Sequence, residues 1–405
     1  MLFFLGFHFV LPAIFYYFNS YTPTYQIAHF DQASMIKGGM LNFLSLIFGA
    51  LLIFLTKNDF KFKEVEYRSR LFLFLCLIFT VGSSWTIGKY TNALQTLLSP
   101  TGFFVTGGMF FNFDFYFVFA LAASREFLAE TQIIMVLKGL ISAQRSVSLS
   151  ILMFYINSAW SKNAYNFFFK YSCYFLIAFS LSFFTFYRAD WVRGSATNIN
   201  TGPSSSFSKS FEAEAEVLKS FQVSKGLINS IVSRISFLEL AMLPVMFKDQ
   251  NIKNISIFYD KYSIVNQLKL IINNIVPGDI FKFDVYPCQY YRAAFTETPI
   301  AFVREHYTSI NMTLPVYFYM YSNFYVSILL SGLTIWGYYL LTLRAFRVHP
   351  LAGAVFIYVF YTSFLYYFDW VMIVKPIVVG MISLIFFILI SNLHDKMIRL
   401  LKHKT

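Results

Sequence analysis

The chain has 405 residues, of which 57% are hydrophobic and 13% charged, and its mean hydropathy is +0.58. A soluble domain carries about 25% charge, so this composition excludes a soluble enzyme, a disordered protein and a secreted disulfide scaffold, and puts most of the chain in lipid. The net charge of +12 would suggest nucleic acid in a soluble protein. Here most Lys and Arg lie in connections, where they collect on the negative side of a membrane, and no nucleic-acid partner is expected.

The apolar runs, in chain order, are 2–18, 40–56, 71–88, 102–123, 134–157 and 166–187, then 316–343, 351–373 and 376–393. Crossing about 30 Å of hydrocarbon takes roughly 20 apolar residues, and only helices or closed barrels satisfy their backbone there. These runs are apolar on every face, without strand alternation, so they read as helices. The expected fold is an all-α polytopic membrane protein with about eight or nine apolar helices and a C-terminal tilted helical hairpin. The fifth run is interrupted by Lys138, Gln144 and Arg145 and is a candidate to lie along the interface instead of crossing.

The N-terminus is apolar from its second residue and has neither a basic n-region nor a small-residue cleavage site, so it does not read as a removable signal peptide. The organisation is then 1–187, N-terminal membrane helices; 188–315, a polar extramembrane insert; and 316–405, a C-terminal membrane region with a basic tail. The insert opens on a Gly/Ser/Asn/Pro-rich linker at 194–206. Helix formers follow at 209–219, and helical apolar spacing at 227–247. The stretch 254–287 mixes β-branched and aromatic residues with Asn-Asn and Pro-Gly turns, so mixed structure is expected there.

Phe (52) and Tyr (28) are abundant, while Gly (18) and Pro (11) are scarce. This matches an AT-rich genome, whether organellar, nuclear or bacterial. Cys76, Cys173 and Cys288 form no C-x-x-C pair, which leaves no metal site or disulfide framework to expect. No P-loop, Ser/His/Asp arrangement or haem-ligating His pair stands out, and no cofactor is expected. The absence of a repeat gives no support to an inverted-repeat transporter.

An ionisable residue at a helix centre costs about 2.5–3.5 kcal/mol, so those in apolar surroundings are candidates for a pairing partner or a task. They are Asp114, Arg344, Arg347, His349, Asp369 and Lys375. Asp114 stands among aromatics at 109–117 and could exchange a proton, pair with a base, or face a polar seam. Arg344, Arg347, His349 and Pro350 could form a short loop between two spans, with the cations at the headgroups. Lys375-Pro376 is expected to mark the break before the last helix.

Leu341-Thr-Leu-Arg-Ala-Phe346, followed by Leu351-Ala-Gly353, resembles the core motif of subunit a of the rotary F-type ATP synthase, in which a Leu-x-x-Arg run precedes Ala-Gly-His. Phe387-Ile-Leu-Ile-Ser-Asn-Leu-His-Asp395 is similar to the closing helix of mitochondrial members. The resemblance covers about 60 residues, from roughly 336 to 395, in a chain of 405. Val348 stands where the family has Asn, Ala354 where it has His, and the spacing from Arg344 to Gly353 is one residue longer. If that insertion precedes Arg347, Arg347 becomes the aligned residue.

The resemblance implies a stator subunit in the mitochondrial inner membrane. It would pass protons through two half-channels to a c-ring, with peripheral-stalk and other membrane subunits as partners within an ATP synthase dimer. It makes Arg344 an electrostatic gate: a cation that cannot deprotonate, favouring the ionised form of each passing c-subunit carboxylate and blocking a leak. Asp369, His349 and Asp114 are then the proton-path candidates, His349 because imidazole titrates near neutral pH. A C-terminus bearing Lys396, Arg399, Lys402 and Lys404 is expected on the matrix side. The alternative is a structural membrane subunit of a respiratory-chain complex, with no proton path and with Arg344 as a headgroup anchor.

Overall fold

The structure is a computed structural model, and it describes residues 31–56, 70–85, 110–123, 237–250, 263–275, 280–283, 312–364 and 370–402, with a few isolated positions. Every regular element among them is helical, and none is a strand. In chain order these are α1 (Gln32–Leu55), α2 (Arg70–Trp85), α3 (Phe113–Ala123), α4 (Phe237–Asp249), α5 (Ile264–Ile275), α6 (Leu314–Tyr321), α7 (Phe324–Val348), α8 (Pro350–Val359), a π-helical turn (Phe360–Phe364) and α9 (Trp370–Lys402). Among the described residues three stretches are long and apolar enough to cross a membrane: Gln32–Leu55, Phe324–Val348 and Ile373–Leu400. The expected count of eight or nine is not confirmed, since the runs 2–18, 134–157 and 166–187 lie almost wholly outside the described residues.

The chain divides into two compact units, residues 1–64 with 229–381, and residues 65–228 with 382–405. In the first, α1 starts where the Asp31 carboxylate accepts from the amides of Ala33 (3.1 Å) and Ser34 (3.3 Å) and from the Ser34 hydroxyl. This N-cap satisfies donors that the first helical turn otherwise leaves free. The Ser34 hydroxyl, foremost, holds the Asp31 carboxyl below its usual range.

The buried stripe of α1 is short-chained: Ser34, Gly38, Asn42, Ser45 and Gly49, with Leu41 and Leu46. On α7 it is Ser327, Ser331, Gly332, Ile335, Tyr338 and Thr342. Small residues let apolar helices approach closely where lipid offers no competing hydrophobic gain. A Cβ added to Gly49 would lie 2.8 Å from Ile335 Cγ2, one on Gly332 would meet the Phe48 ring, and one on Gly38 would lie 2.7 Å from Ala241 Cβ. The opposite face of α1 is apolar and outward, with Phe54 85% exposed.

α1 and α7 run in the same direction. Lys37 of α1 sits at Tyr319, just before α7 begins; further along, Phe48 meets Gly332, Gly49 meets Ile335, and the Trp336 indole donates to Thr56 Oγ1 at 2.8 Å.

The second unit is held by aromatic packing. Phe387 is fully buried and meets Phe72, Phe119 and Tyr67 at centroid distances of 5.2, 5.2 and 5.7 Å. The Ser383 hydroxyl donates to Phe110 O (2.6 Å) and accepts from Asn112 N (3.4 Å).

Three expectations are corrected. The run 316–343 is two helices, because Ser322 is extended and the Asn323 side chain accepts from Val326 N at 3.0 Å, which starts a new helix. Lys375-Pro376 is no break: α9 begins at Trp370 and continues through Pro376. Pro376 removes one backbone donor, which a helix of this length tolerates within an apolar phase. In 188–315, where mixed structure was expected, the regular elements among the described residues are helices, with a non-helical segment at 280–283. α5 falls within 254–287, where apolar residues at 264, 265, 268, 271 and 272 follow the helical period despite their β-branching.

Candidate functional site

The motif segment forms an elbow between α7 and α8. Arg344 and Arg347 lie in the last turns of α7, both exposed, and among the described residues neither has an ion-pair partner. Cations there oppose the partial negative charge of the helix C-terminus. The bend is a single residue, His349, with extended backbone (φ −159°, ψ 132°). Its N–H donates to Ala345 O at 2.9 Å and closes α7. Its carbonyl accepts from Ala352 N (3.0 Å) and Gly353 N (3.2 Å), which opens α8. Its ring Nδ1 accepts from Leu351 N at 3.2 Å. Pro350, as the first residue of α8, has no donor to leave unsatisfied. The expected loop is therefore one residue long, with both arginines helical.

The two halves of the motif meet at this elbow. A Cβ at Gly353 would collide with the Phe346 ring, so glycine here allows α8 to fold back on the end of α7. One turn further, the Tyr338 hydroxyl donates to Phe356 O (2.9 Å), and its ring lies 4.5 Å from that of Phe364 in the π-helical turn.

Burial depresses the His349 pKa below its ordinary 6.5, and neutral imidazole is the form whose Nδ1 can accept from Leu351. The unfolded chain therefore takes up the His349 proton more readily. The elbow's contribution to stability is complete above pH 6.5 and is lost as pH falls through that value toward the depressed folded pKa. His349→Ala is expected to cost about 1 kcal/mol, the worth of an N-cap, whereas His349→Asn retains an acceptor. Amide protection factors at Leu351, Ala352 and Gly353, taken against the intrinsic exchange rate at each pH, should fall on acidification below pH 6.5 in the parent chain and stay level in His349→Asn.

Asp114, singled out in the sequence for its aromatic surroundings, stands in the first turn of α3. Asn112 Oδ1 accepts from Asp114 N (2.9 Å) and Phe115 N (3.3 Å), and the half-buried Asp114 carboxylate stands at the positive end of the helix dipole. Asp114 belongs to the second unit, Arg344 and His349 to the first. Asp369 lies outside the described residues, and Lys375 is half-buried within α9.

A cluster that sequence reasoning missed ties α1, α4 and α6 together. The Asp249 carboxylate accepts from Lys37 Nζ (2.6 Å) and from the Tyr319 hydroxyl (2.5 Å). Lys248 Nζ donates to the carbonyls of Tyr319 and Ser322 at the end of α6, and lies 4.4 Å from the Tyr319 ring centroid. Burial lowers the Lys248 pKa and raises that of Tyr319. Lys248 caps the end of α6 while Lys37 pairs with Asp249, so the cluster acts as a fastening between helix ends.

Among the described residues no group of His, Cys, Asp and Glu is placed to hold a metal ion. Comparison with family models, curated proteins and solved structures returns no match. Among the described residues, the fold and site thus define an all-helical arrangement with three helices of membrane-crossing length and a tightly capped, arginine-bearing elbow.

Proposed function

We propose that this chain is a proton-translocating stator subunit, subunit a, of a rotary F-type ATP synthase in the mitochondrial inner membrane. The observation that carries the reading is the elbow. The residues that resemble the family motif, Leu341–Phe346 and Leu351–Gly353, pack on one another, with the Phe346 ring where a Gly353 side chain would be. Arg344 projects from the same structure, exposed and unpaired among the described residues. A permanent cation so placed is available to a carboxylate carried past it by a neighbouring ring of c subunits. His349 uses Nδ1 to cap α8, which holds its ring at the elbow beside the motif. Peripheral-stalk and other membrane subunits would bind elsewhere on the chain, and dimer contacts with them.

One observation favours the alternative, a structural membrane subunit of a respiratory-chain complex. Arg344 and Arg347 both sit at the end of a helix of spanning length, where a cation serves equally well as a headgroup anchor. Partner identity separates the two. In gently solubilised native membranes the chain is expected to purify with stoichiometric c subunits and the α and β catalytic subunits, identified by mass spectrometry. Companions from an electron-transfer complex, without a c subunit, would reject the stator reading.

A further inference from the structure

We propose that α5 lies in the plane of the membrane surface, with Ile264, Val265, Leu268 and Ile272 sunk among the acyl chains just beneath the headgroups. The helix is turned inside out relative to a helix of a soluble domain. Those four side chains fall on one arc and are 40–63% exposed, whereas Gln267 and Leu270 on the other side are 2% and 5% exposed. The Asn273 side chain is occupied with Phe281: its Nδ2 donates to Phe281 O (2.5 Å) and its Oδ1 accepts from Phe281 N (2.9 Å). A soluble domain turns the apolar stripe inward and leaves the amides in water.

The helix has a defined start. The Ser263 hydroxyl accepts from Asn266 N (3.4 Å), and the Ser263 carbonyl accepts from Gln267 N (3.0 Å). Its 12 residues span about 18 Å, too short for a hydrocarbon core of about 30 Å, so it cannot cross. The compact unit that contains α5 also contains α1 and α7, both of spanning length and hydropathy, so a bilayer is the apolar phase that this unit meets.

The charges fit the same placement. Lys269 borders the apolar arc, with Nζ 5.9 Å from the Phe281 ring centroid, and Lys282 is exposed on the adjoining segment. Lysines at the edge of an apolar helix face reach lipid phosphates while their stems stay in the apolar zone. The proposal depends on burial and charge alone, and holds under either functional reading given above.

The test uses the full-length chain reconstituted in vesicles of phosphatidylcholine and phosphatidylglycerol. Leu268→Cys and, separately, Ile272→Cys carry an environment-sensitive fluorophore, and the parent chain labelled in parallel gives the baseline from its own cysteines. Both sites are exposed, so labelling leaves the fold intact, which circular dichroism verifies. The expected result is blue-shifted emission, quenched about two-fold or more strongly by a nitroxide near the headgroup end of the lipid chain than by one near its methyl end, for a depth of roughly 5–10 Å. Aqueous emission indifferent to both nitroxides would place the face in water and overturn the proposal. Blue-shifted emission that neither nitroxide quenches would mean that protein covers the face, and would overturn it equally. Stronger quenching by the deep nitroxide would mean that α5 is not interfacial.

Discussion

Arg344→Lys and Arg344→Ala are both expected to abolish proton-driven ATP synthesis, while Arg347→Ala keeps most of it. Under the stator reading the guanidinium holds a passing carboxylate in its ionised form. An arginine neighbour lowers a carboxyl pKa by about 1–3 units, so its removal cuts the ionised population roughly 10- to 1,000-fold. Lysine does not substitute, because an ammonium facing lipid and protein loses its proton far more readily than a guanidinium and offers no planar fork. The measurement is ATP synthesis by inner-membrane vesicles under an imposed proton gradient, with ATP hydrolysis by the catalytic head as control. Full synthesis in Arg344→Lys would favour the headgroup-anchor alternative. Loss in Arg347→Ala with retention in Arg344→Ala would move the gate by one helical turn.

The second large effect is expected at a glycine remote from the elbow. A Cβ at Gly38 would lie 2.7 Å from Ala241 Cβ, 2.9 Å from its carbonyl carbon and 3.0 Å from its carbonyl oxygen. Two of those three atoms are backbone, so no rotamer change relieves the clash, and α1 and α4 must separate. Gly38→Ala is expected to destabilise the purified protein by about 1–3 kcal/mol, the usual cost of overpacking. Gly337→Ala is the matched control: nothing lies within 4 Å of the added methyl, and alanine is the better helix former by about 1 kcal/mol. Thermal unfolding in detergent should fall for the first variant and hold or rise for the second. Equal behaviour of the two would refute close packing at Gly38.

Part of this architecture is legible in the sequence because apolar length is a local property. Gln32–Leu55, Phe324–Val348 and Ile373–Leu400 overlap runs found from hydropathy alone. Their ends were harder to place, because one capping side chain decides each. Asp31 starts α1 well before the uniformly apolar stretch, and Asn323 divides a run that hydropathy treats as continuous. Pro376 misled in the other direction, since a proline signals a break that the surrounding helix did not take. In α5, β-branched residues suggested strand while their spacing obeyed the helical period.

The site was legible only where its parts are close in sequence. Arg344, Arg347, His349 and Gly353 fall within one short segment, and the elbow that joins them was visible as a cluster of breakers and charges. The pairing of Lys37 with Asp249 spans 212 positions, and neither residue stands out in its own neighbourhood. Asp114 stood out for its aromatic surroundings, but Asn112, two residues earlier, turns that position into the start of a helix.

The shared direction of α1 and α7 fixes a parity. If both cross the bilayer, they enter from the same face, so the chain that connects Leu55 to Phe324 must return to that face and crosses an odd number of times. Four apolar runs stand between them in the sequence: 71–88, 102–123, 134–157 and 166–187. Four crossings would deliver α7 to the wrong side, so these runs are not all crossings that complete the path between the two spans. With both helices spanning, the fastening of Lys37 to Asp249 and the elbow at His349 open on opposite sides of the membrane, one at each end of the same pair of spans.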